Sequence, residues 1–376
     1  MSDIIFFGRY TGSESLGGSE KFMKRIFKFS DLSDLNLWFT DFYFGYKAGN
    51  LLKKIFGKEI LEKGKRNYFL KLGIFRILSL TKRKKVRIFI LNGLEGYAIM
   101  ILLLVRMIKK IKVIYILHGL YRYELKYDKL DIEPIFYRFK YITMEKIILK
   151  LADVLCLFTD SSVTQLRDYY GFIPGKIIKI RNGVDEEYFY RKKIFNYNKP
   201  LKIIYSGGYG RAIKGFDFMI RTLSNIDFEI ELFICGNISD NNLLEKNLRH
   251  LSRKVQIHNK GFLDVKSLAD LYRNCDIHLL PSRFETFGIA AAEAAASSLV
   301  PILTQSSGIS EYLVNRIDCL KFDYDDSETL LQHLRYLNFN RNELEKIGKN
   351  AHKKMMDFTW EIVSREFFTR IKELTG

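Results

Sequence analysis

The chain has 376 residues, 47% hydrophobic and 28% charged, with 61 Lys and Arg against 43 Asp and Glu for a formal net charge of +18. That length calls for about two or three domains, and the composition excludes a disordered, collagenous or disulfide-scaffold chain. The positive excess favours anionic partners, namely nucleic acid, acidic lipid or phosphorylated substrates.

Taken in order, the chain alternates apolar β-branched runs with amphipathic ones. The opening MSDIIFFGRY lacks the basic n-region and small-residue cleavage site of a signal peptide. Strands are expected at 3–8, 35–40, 86–91, 112–118, 154–159 and 177–181. Most are near-continuous hydrophobic runs of the kind buried on both faces of a parallel sheet. Between the first two, Phe22, Met23, Ile26 and Phe27 fall on one face of a helix. Tyr97 to Ile108 carries Arg106 and is too short to span a bilayer, so it reads as a core helix. Basic runs interleaved with apolar residues lie at Leu51 to Arg66, Leu80 to Arg87 and Met107 to Lys112, a mixture that suits an anionic membrane surface or a solvated basic face.

Residues 191–200, polar, basic and ending in Pro200, read as a linker. The pattern then restarts with strands expected at 201–207, 229–236, 255–261, 277–281, 300–304 and 320–322, and an amphipathic helix over 267–275. Two doubly wound βαβ domains follow, over 1–190 and 198–356, with a last helix over 357–376 returning to the first. Ligands of such sheets lie at the carboxyl ends of the strands. Cys156, Cys235, Cys275 and Cys319 form no CxxC pair, which argues for buried thiols in a reducing cytoplasm.

The most informative stretch is Pro281 to Glu293, PSRFETFGIAAAE. A strand end, a loop and an alanine-rich helix starting near Phe287 or Gly288 offer unpaired N–H groups to a phosphate. Glu285 and Glu293 are eight positions apart, roughly 12 Å if helical throughout. That exceeds the about 5–5.5 Å of a retaining-glycosidase carboxylate pair but suits gripping two ends of one elongated ligand.

This E-x7-E after PS resembles the signature of the GT4 family of retaining glycosyltransferases, which have the GT-B fold of two Rossmann-like domains facing a cleft. Leu271 to Ser282 and Val300 to Glu311 resemble the flanks of that signature. Asn182 to Asp185 (NGVD), Gly17 to Glu20 (GGSE) and Phe358 to Trp360 resemble further motifs in the same order. The resemblance implies that Glu285 holds the donor sugar's hydroxyls and Glu293 the ribose. The backbone of Thr286, Phe287 and Gly288 would meet the diphosphate and Lys214 would neutralise it. His118 would sit near the reacting sugar, and the Gly17–Gly18 loop would close over the phosphates. The family's phosphate-binding arginine is displaced, since its places hold Tyr209 and Gly208, and Arg211 is the candidate instead. Ser298-Leu299 replaces a family glycine, and a glycine pair reads Ser307-Gly308.

The implied reaction moves a sugar from a UDP- or GDP-linked donor to a hydroxyl of a saccharide or lipid-linked acceptor, with retention. It calls for no metal, cofactor or nucleic acid, and belongs to cell-surface polysaccharide, lipopolysaccharide or glycolipid synthesis at the cytoplasmic face of a membrane. A nicotinamide dehydrogenase would need GxGxxG after an early strand, which Gly8 to Gly18 does not supply. An epimerase of the same fold lacks this set of motifs. A basic nucleic-acid-binding protein leaves the carboxylates unexplained. His250, His258, His278, His333 and His352 read as structural.

Overall fold

A computed structural model describes residues 3–9, 17–42, 58–64, 67–83, 86–94, 96–108, 111–126, 135–172, 175–190, 200–207, 211–236, 248 and 251–374. The chain divides into two compact units. The first comprises residues 1–123, 130–182 and 360–376, and the second 124–129 and 183–359. The expected linker at 191–199 lies outside the described residues.

Unit 1 begins with β1 (Asp3–Gly8), α1 (Gly18–Lys28), β2 (Asn36–Phe42), β3 (Lys58–Lys63), β4 (Tyr68–Leu72), α2 (Ile74–Arg83), β5 (Val86–Asn92) and α3 (Gly96–Ile108). It continues with β6 (Lys112–Ile116), α4 (Tyr121–Glu124), α5 (Ile135–Leu151), β7 (Val154–Leu157), α6 (Ser161–Tyr170) and β8 (Lys176–Lys179). The strands lie in the order β3-β4-β2-β1-β5-β6-β7-β8. All pairings are parallel except β3 with β4. β1 is buried throughout, as a central parallel strand covered on both faces must be. β3 and β4 are additions to the expected set. They place part of the basic run at 51–66 in a mostly exposed antiparallel edge strand.

Unit 2 contains β9 (Leu201–Tyr205), α7 (Phe216–Leu223), β10 (Ile230–Cys235), β11 (Val255–Gly261), α8 (Val265–Asn274), β12 (Ile277–Leu280), α9 (Ile289–Ala296), β13 (Val300–Thr304), β14 (Leu320–Phe322), α10 (Ser327–Phe339) and α11 (Arg341–Met355). Its parallel sheet runs β11-β10-β9-β12-β13-β14. The chain then forms α12 (Trp360–Glu373), which belongs to unit 1. There Trp360 and Phe367 pack edge-on against Phe22 of α1, and Phe367 also meets Phe6 of β1. Each buried ring of this kind stabilises by about 1.5–3 kcal/mol through area alone, with roughly 0.5–1.5 kcal/mol more per well-oriented pair.

Both sheets reverse winding direction at one place, between β1 and β5 in unit 1 and between β9 and β12 in unit 2. At such switch points the loops leaving adjacent strand ends diverge and open a crevice. Those strand ends are Gly8 and Asn92 in unit 1, and Tyr205 and Leu280 in unit 2. The four cysteines are free and buried. Among the described residues no helix is long and apolar enough to cross a membrane.

Candidate functional site

In unit 2, β9 leads into a 3-10 turn at Ala212–Lys214, and β12 leads into Pro281 to Gly288. Gly215 closes the turn in the left-handed region at φ 68°, and a Cβ there would sit 1.9 Å from the Pro281 carbonyl oxygen. No other residue fits so close a backbone approach. Arg283 N–H donates to the Ile213 carbonyl at 2.8 Å, which ties the two loops together.

This docking brings Lys214 Nζ to 2.5 Å from Glu285 Oε1, while Ser282 Oγ donates to the same oxygen at 3.3 Å. The side chains of Lys214 and Glu285 are 23% and 17% exposed. A hollow opens beside them, lined by Arg211, Lys214, Phe284, Glu285 and Thr286 among others. Arg211 Nη2 lies 2.8 Å from Glu124 Oε2, in the short segment that groups with this unit.

The helix after the loop starts one or two residues later than the sequence suggests. Gly288 is its N-cap at φ 92° and α9 begins at Ile289. The left-handed Gly288 turns the chain sharply enough that Glu285 is not on the helix, so the roughly 12 Å helical rise does not describe the Glu285–Glu293 separation. Instead Glu285 forms an isolated parallel bridge to Ser307, with Gly308 N–H donating to the Glu285 carbonyl at 2.8 Å and Ile309 N–H to that of Phe287 at 2.5 Å. Glu285, Thr286 and Phe287 are thus held as a strand-like rung. Phe287 is buried, in ring contact with Tyr312 and Phe358. Past the rung, the N–H groups of Ala291 and Ala292 donate to the Gly288 carbonyl at 3.1 and 3.2 Å, which leaves those of Ile289 and Ala290 at the start of α9 without an intrahelical carbonyl.

Glu293 lies within α9 and is 6% exposed. Beside it runs a buried polar chain that sequence reasoning passed over. Ser206 Oγ lies 2.9 Å from His278 Nε2 and 2.8 Å from Tyr272 Oη, which in turn donates to the Ala290 carbonyl at 3.4 Å. Burial, and then the Glu293 carboxylate, hold the Tyr272 phenol well above its ordinary pKa. Burial lowers His278 to about 3, so its ring is neutral. The sequence gives no local signal for this chain, because its members come from β9's end, α8 and β12.

In unit 1, His118 lies two residues past the end of β6. Its Nε2 meets Asn92 Oδ1 at 2.8 Å, and Asn92 Nδ2 donates to the Ser19 carbonyl at 2.8 Å. Asn92 therefore couples the β5 end, the start of α1 and the histidine at the switch point. It was missed by sequence reasoning, although Asn-Gly directly after an apolar strand marks a turn. The His118 ring packs against Phe22 and Phe158, and desolvation lowers its pKa to about 3, although one edge keeps some solvent contact. Gly17 and Gly18 open α1, with Glu20 Oε2 accepting from Gly17 N–H at 3.1 Å. Nearby Gly8 is needed for packing, since a Cβ there would sit 2.4 Å from Met23 Sδ.

Two Rossmann-like units, each with its polar cluster at a switch point, define the GT-B class. Two family models match in succession, Glycosyltransferase Family 4 over residues 48–188 and Glycosyl transferases group 1 over residues 186–354. The chain belongs to these glycosyltransferases. A glycosyltransferase of Methanocaldococcus jannaschii is 28% identical over 50% of this chain and 51% of its own length. The chain thus spans about half the length of that curated relative. Sucrose-phosphate synthase from Thermosynechococcus elongatus superposes with a TM-score of 0.77 at 14% identity, covering 100% of this chain and 99% of that one. HepE of Anabaena in complex with UDP superposes at 0.71 and 15% identity, covering 99% and 100%.

Proposed function

We propose that the chain transfers a sugar from a nucleoside-diphosphate sugar to an acceptor hydroxyl, with retention of configuration and without a metal. The observation that carries this reading is the Lys214–Glu285 pair beside the Gly288-capped start of α9. In that arrangement Lys214 and the first-turn N–H groups of α9 meet the diphosphate. Glu285 accepts from sugar hydroxyls and Glu293 from the ribose. As the bond to the anomeric carbon breaks, negative charge grows on the leaving phosphate, and donors already aimed there stabilise it more in the transition state than before. His118, neutral at physiological pH, offers a ring nitrogen to the sugar without adding charge. The retaining course rests on the family resemblance.

A UDP complex of a protein with this fold favours a uridine nucleotide as the first donor to try. The acceptor we propose is a saccharide or lipid-linked sugar in cell-surface polysaccharide, lipopolysaccharide or glycolipid synthesis, met at the cytoplasmic face of a membrane. The test is a panel of UDP- and GDP-sugars, scored by thermal stabilisation and by nucleotide release. A ligand at 100 times its dissociation constant adds about 2.7 kcal/mol of stability. A melt that no nucleotide sugar moves, with no nucleotide released, overturns the proposal.

A further inference from the structure

A neutral histidine donates at one ring nitrogen and accepts at the other, and the bond made by one nitrogen decides the role of its fellow. For His118 that bond goes to Asn92, the last residue of β5, which is 3% exposed. Asn92 Nδ2 donates to the Ser19 carbonyl at 2.8 Å. A carbonyl only accepts, so the amide nitrogen must face α1 and Oδ1 must face the histidine. Oδ1 also only accepts, so His118 Nε2, 2.8 Å away, carries the proton. In the neutral ring Nδ1 is then a bare acceptor.

The surroundings hold both groups in place. Asn92 is paired with Gly8 of β1 on one side and Ile116 of β6 on the other. A Cβ at Gly8 would lie 3.1 Å from Asn92 Cβ and 3.3 Å from Nδ2. Gly93, at φ 84°, turns the chain while its N–H donates to the Ile116 carbonyl at 3.2 Å. A Cβ there would meet Ser19 Cβ at 3.5 Å and His118 Cδ2 at 3.9 Å, so the Nε2–Cδ2 edge of the ring lies against this turn. Phe22 and Phe158 pack around the ring. Among the described residues no charged side chain is hydrogen-bonded to it, and burial alone lowers its pKa. Nδ1 is the vertex opposite the covered edge. It keeps the ring's solvent contact, whereas Nδ1 of His278 is buried without a partner.

We infer that Asn92 is a positioning residue, which locks His118 in its Nε2–H form and so makes Nδ1 an acceptor for a sugar hydroxyl. A hydroxyl has the proton that Nδ1 lacks. A carboxylate or phosphate oxygen has none to give and would set lone pair against lone pair. The histidine therefore selects a hydroxyl-bearing position of the sugar over an acidic one, and leaves the charge of the diphosphate to Lys214. What Nδ1 receives rests on the glycosyl-transfer reading proposed above. The lock itself does not.

The experiment has two arms, both on the full chain. In the first, nitrogen NMR of protein carrying isotope-labelled histidine reads the protonation of each ring without substrate, and His118→Gln identifies the His118 signals by their loss. The parent should be protonated at Nε2 and bare at Nδ1 between about pH 5 and 8. Asn92→Asp sets a carboxylate against Nε2, which favours the doubly protonated ring, so Nδ1 should gain a proton near neutral pH. Asn92→Leu leaves Nε2–H unpaired among aromatic rings, so the proton should move to Nδ1, where solvent can accept from it. In the second arm, kcat/KM is measured with the UDP-sugar that turns over in the panel. It should fall about tenfold or more in Asn92→Leu. In Asn92→Asp it should fall relative to the parent below neutral pH and recover as pH rises, a recovery that a merely structural role would not produce. A parent proton on Nδ1 overturns the inference, as does an Asn92→Asp ring that titrates like the parent's or a folded Asn92→Leu with parental kcat/KM. Should Asn92→Leu fail to fold, the parent and Asn92→Asp spectra still decide. If no sugar nucleotide turns over, the transfer reading fails while the spectra still report on the lock.

Discussion

Lys214 and Glu285 are each other's partner at 2.5 Å, and each is also assigned a part of the same substrate. At that separation and an effective dielectric near 20, their attraction is about 6–7 kcal/mol. Desolvation and side-chain ordering offset most of it, leaving an expected coupling of about 1–3 kcal/mol. Lys214→Ala and Glu285→Gln should each destabilise the protein, and the double variant should lose less than the sum. Turnover should respond differently. Removing one donor from a developing oxyanion costs about 10²–10³ in kcat, so Lys214→Ala should fall by that factor with a much smaller change in donor affinity. Urea denaturation of the four proteins gives the coupling, and steady-state kinetics with the donor found in the panel gives kcat and KM. Strict additivity in stability, together with parental turnover by Lys214→Ala, would refute both the pairing and the catalytic role.

Glu293→Gln should weaken nucleotide binding about tenfold or more with the fold intact, since hydrogen bonds to a charged group are worth about 1.5–3 kcal/mol; equal affinity in calorimetry removes Glu293 from the ribose site. Gly215→Ala should cost at least about 1–2 kcal/mol for the left-handed backbone alone, and more because its methyl meets the Pro281 oxygen, so a parental melt with parental nucleotide binding contradicts the loop docking. His278 is held near 3 in the fold against an ordinary value of about 6.5. Between those values the unfolded chain takes up a proton that the folded chain refuses. The stability this neutral ring contributes is therefore present above about pH 6.5 and lost as pH falls, by up to about 1.4 kcal/mol per pH unit. His278→Gln should flatten the pH dependence of stability over that range by about one proton, and parallel curves would contradict the assignment.

Apart from Tyr68–Leu72, the parallel strands were legible because burial on both faces writes them as unbroken apolar runs, as in DIIFFG and VRIFILN. Lys58–Lys63 was not, because an exposed edge strand of sequence KEILEK has no apolar face to announce itself and carries the charges that discourage further pairing. Within the site, Glu285, Gly288 and Glu293 were visible as a local string after a strand. Asn92, Ser206 and Tyr272 were not, because each matters through a partner 26 to 73 positions away that only the sheet order brings near. The start of α9 was placed early because Gly288 in the left-handed region reads in sequence as the first residue of an alanine-rich helix. Its dihedral angles show it to be the residue that ends the loop.

The return of α12 to unit 1 bears on how the chain is made. Synthesis from the amino end completes β1 and α1 early, yet Trp360 and Phe367, which cover Phe22 and Phe6, are added only after all of unit 2. Domains that form during translation ordinarily do so in sequence order. Here the order is inverted, since unit 2, contiguous from Gly183 to Thr359 apart from one short segment, can bury its core while the aromatic surface of α1 still waits on the ribosome. A nascent chain stalled before residue 360 should therefore display that surface to chaperones, and truncation there should harm unit 1 rather than the unit in which the break falls.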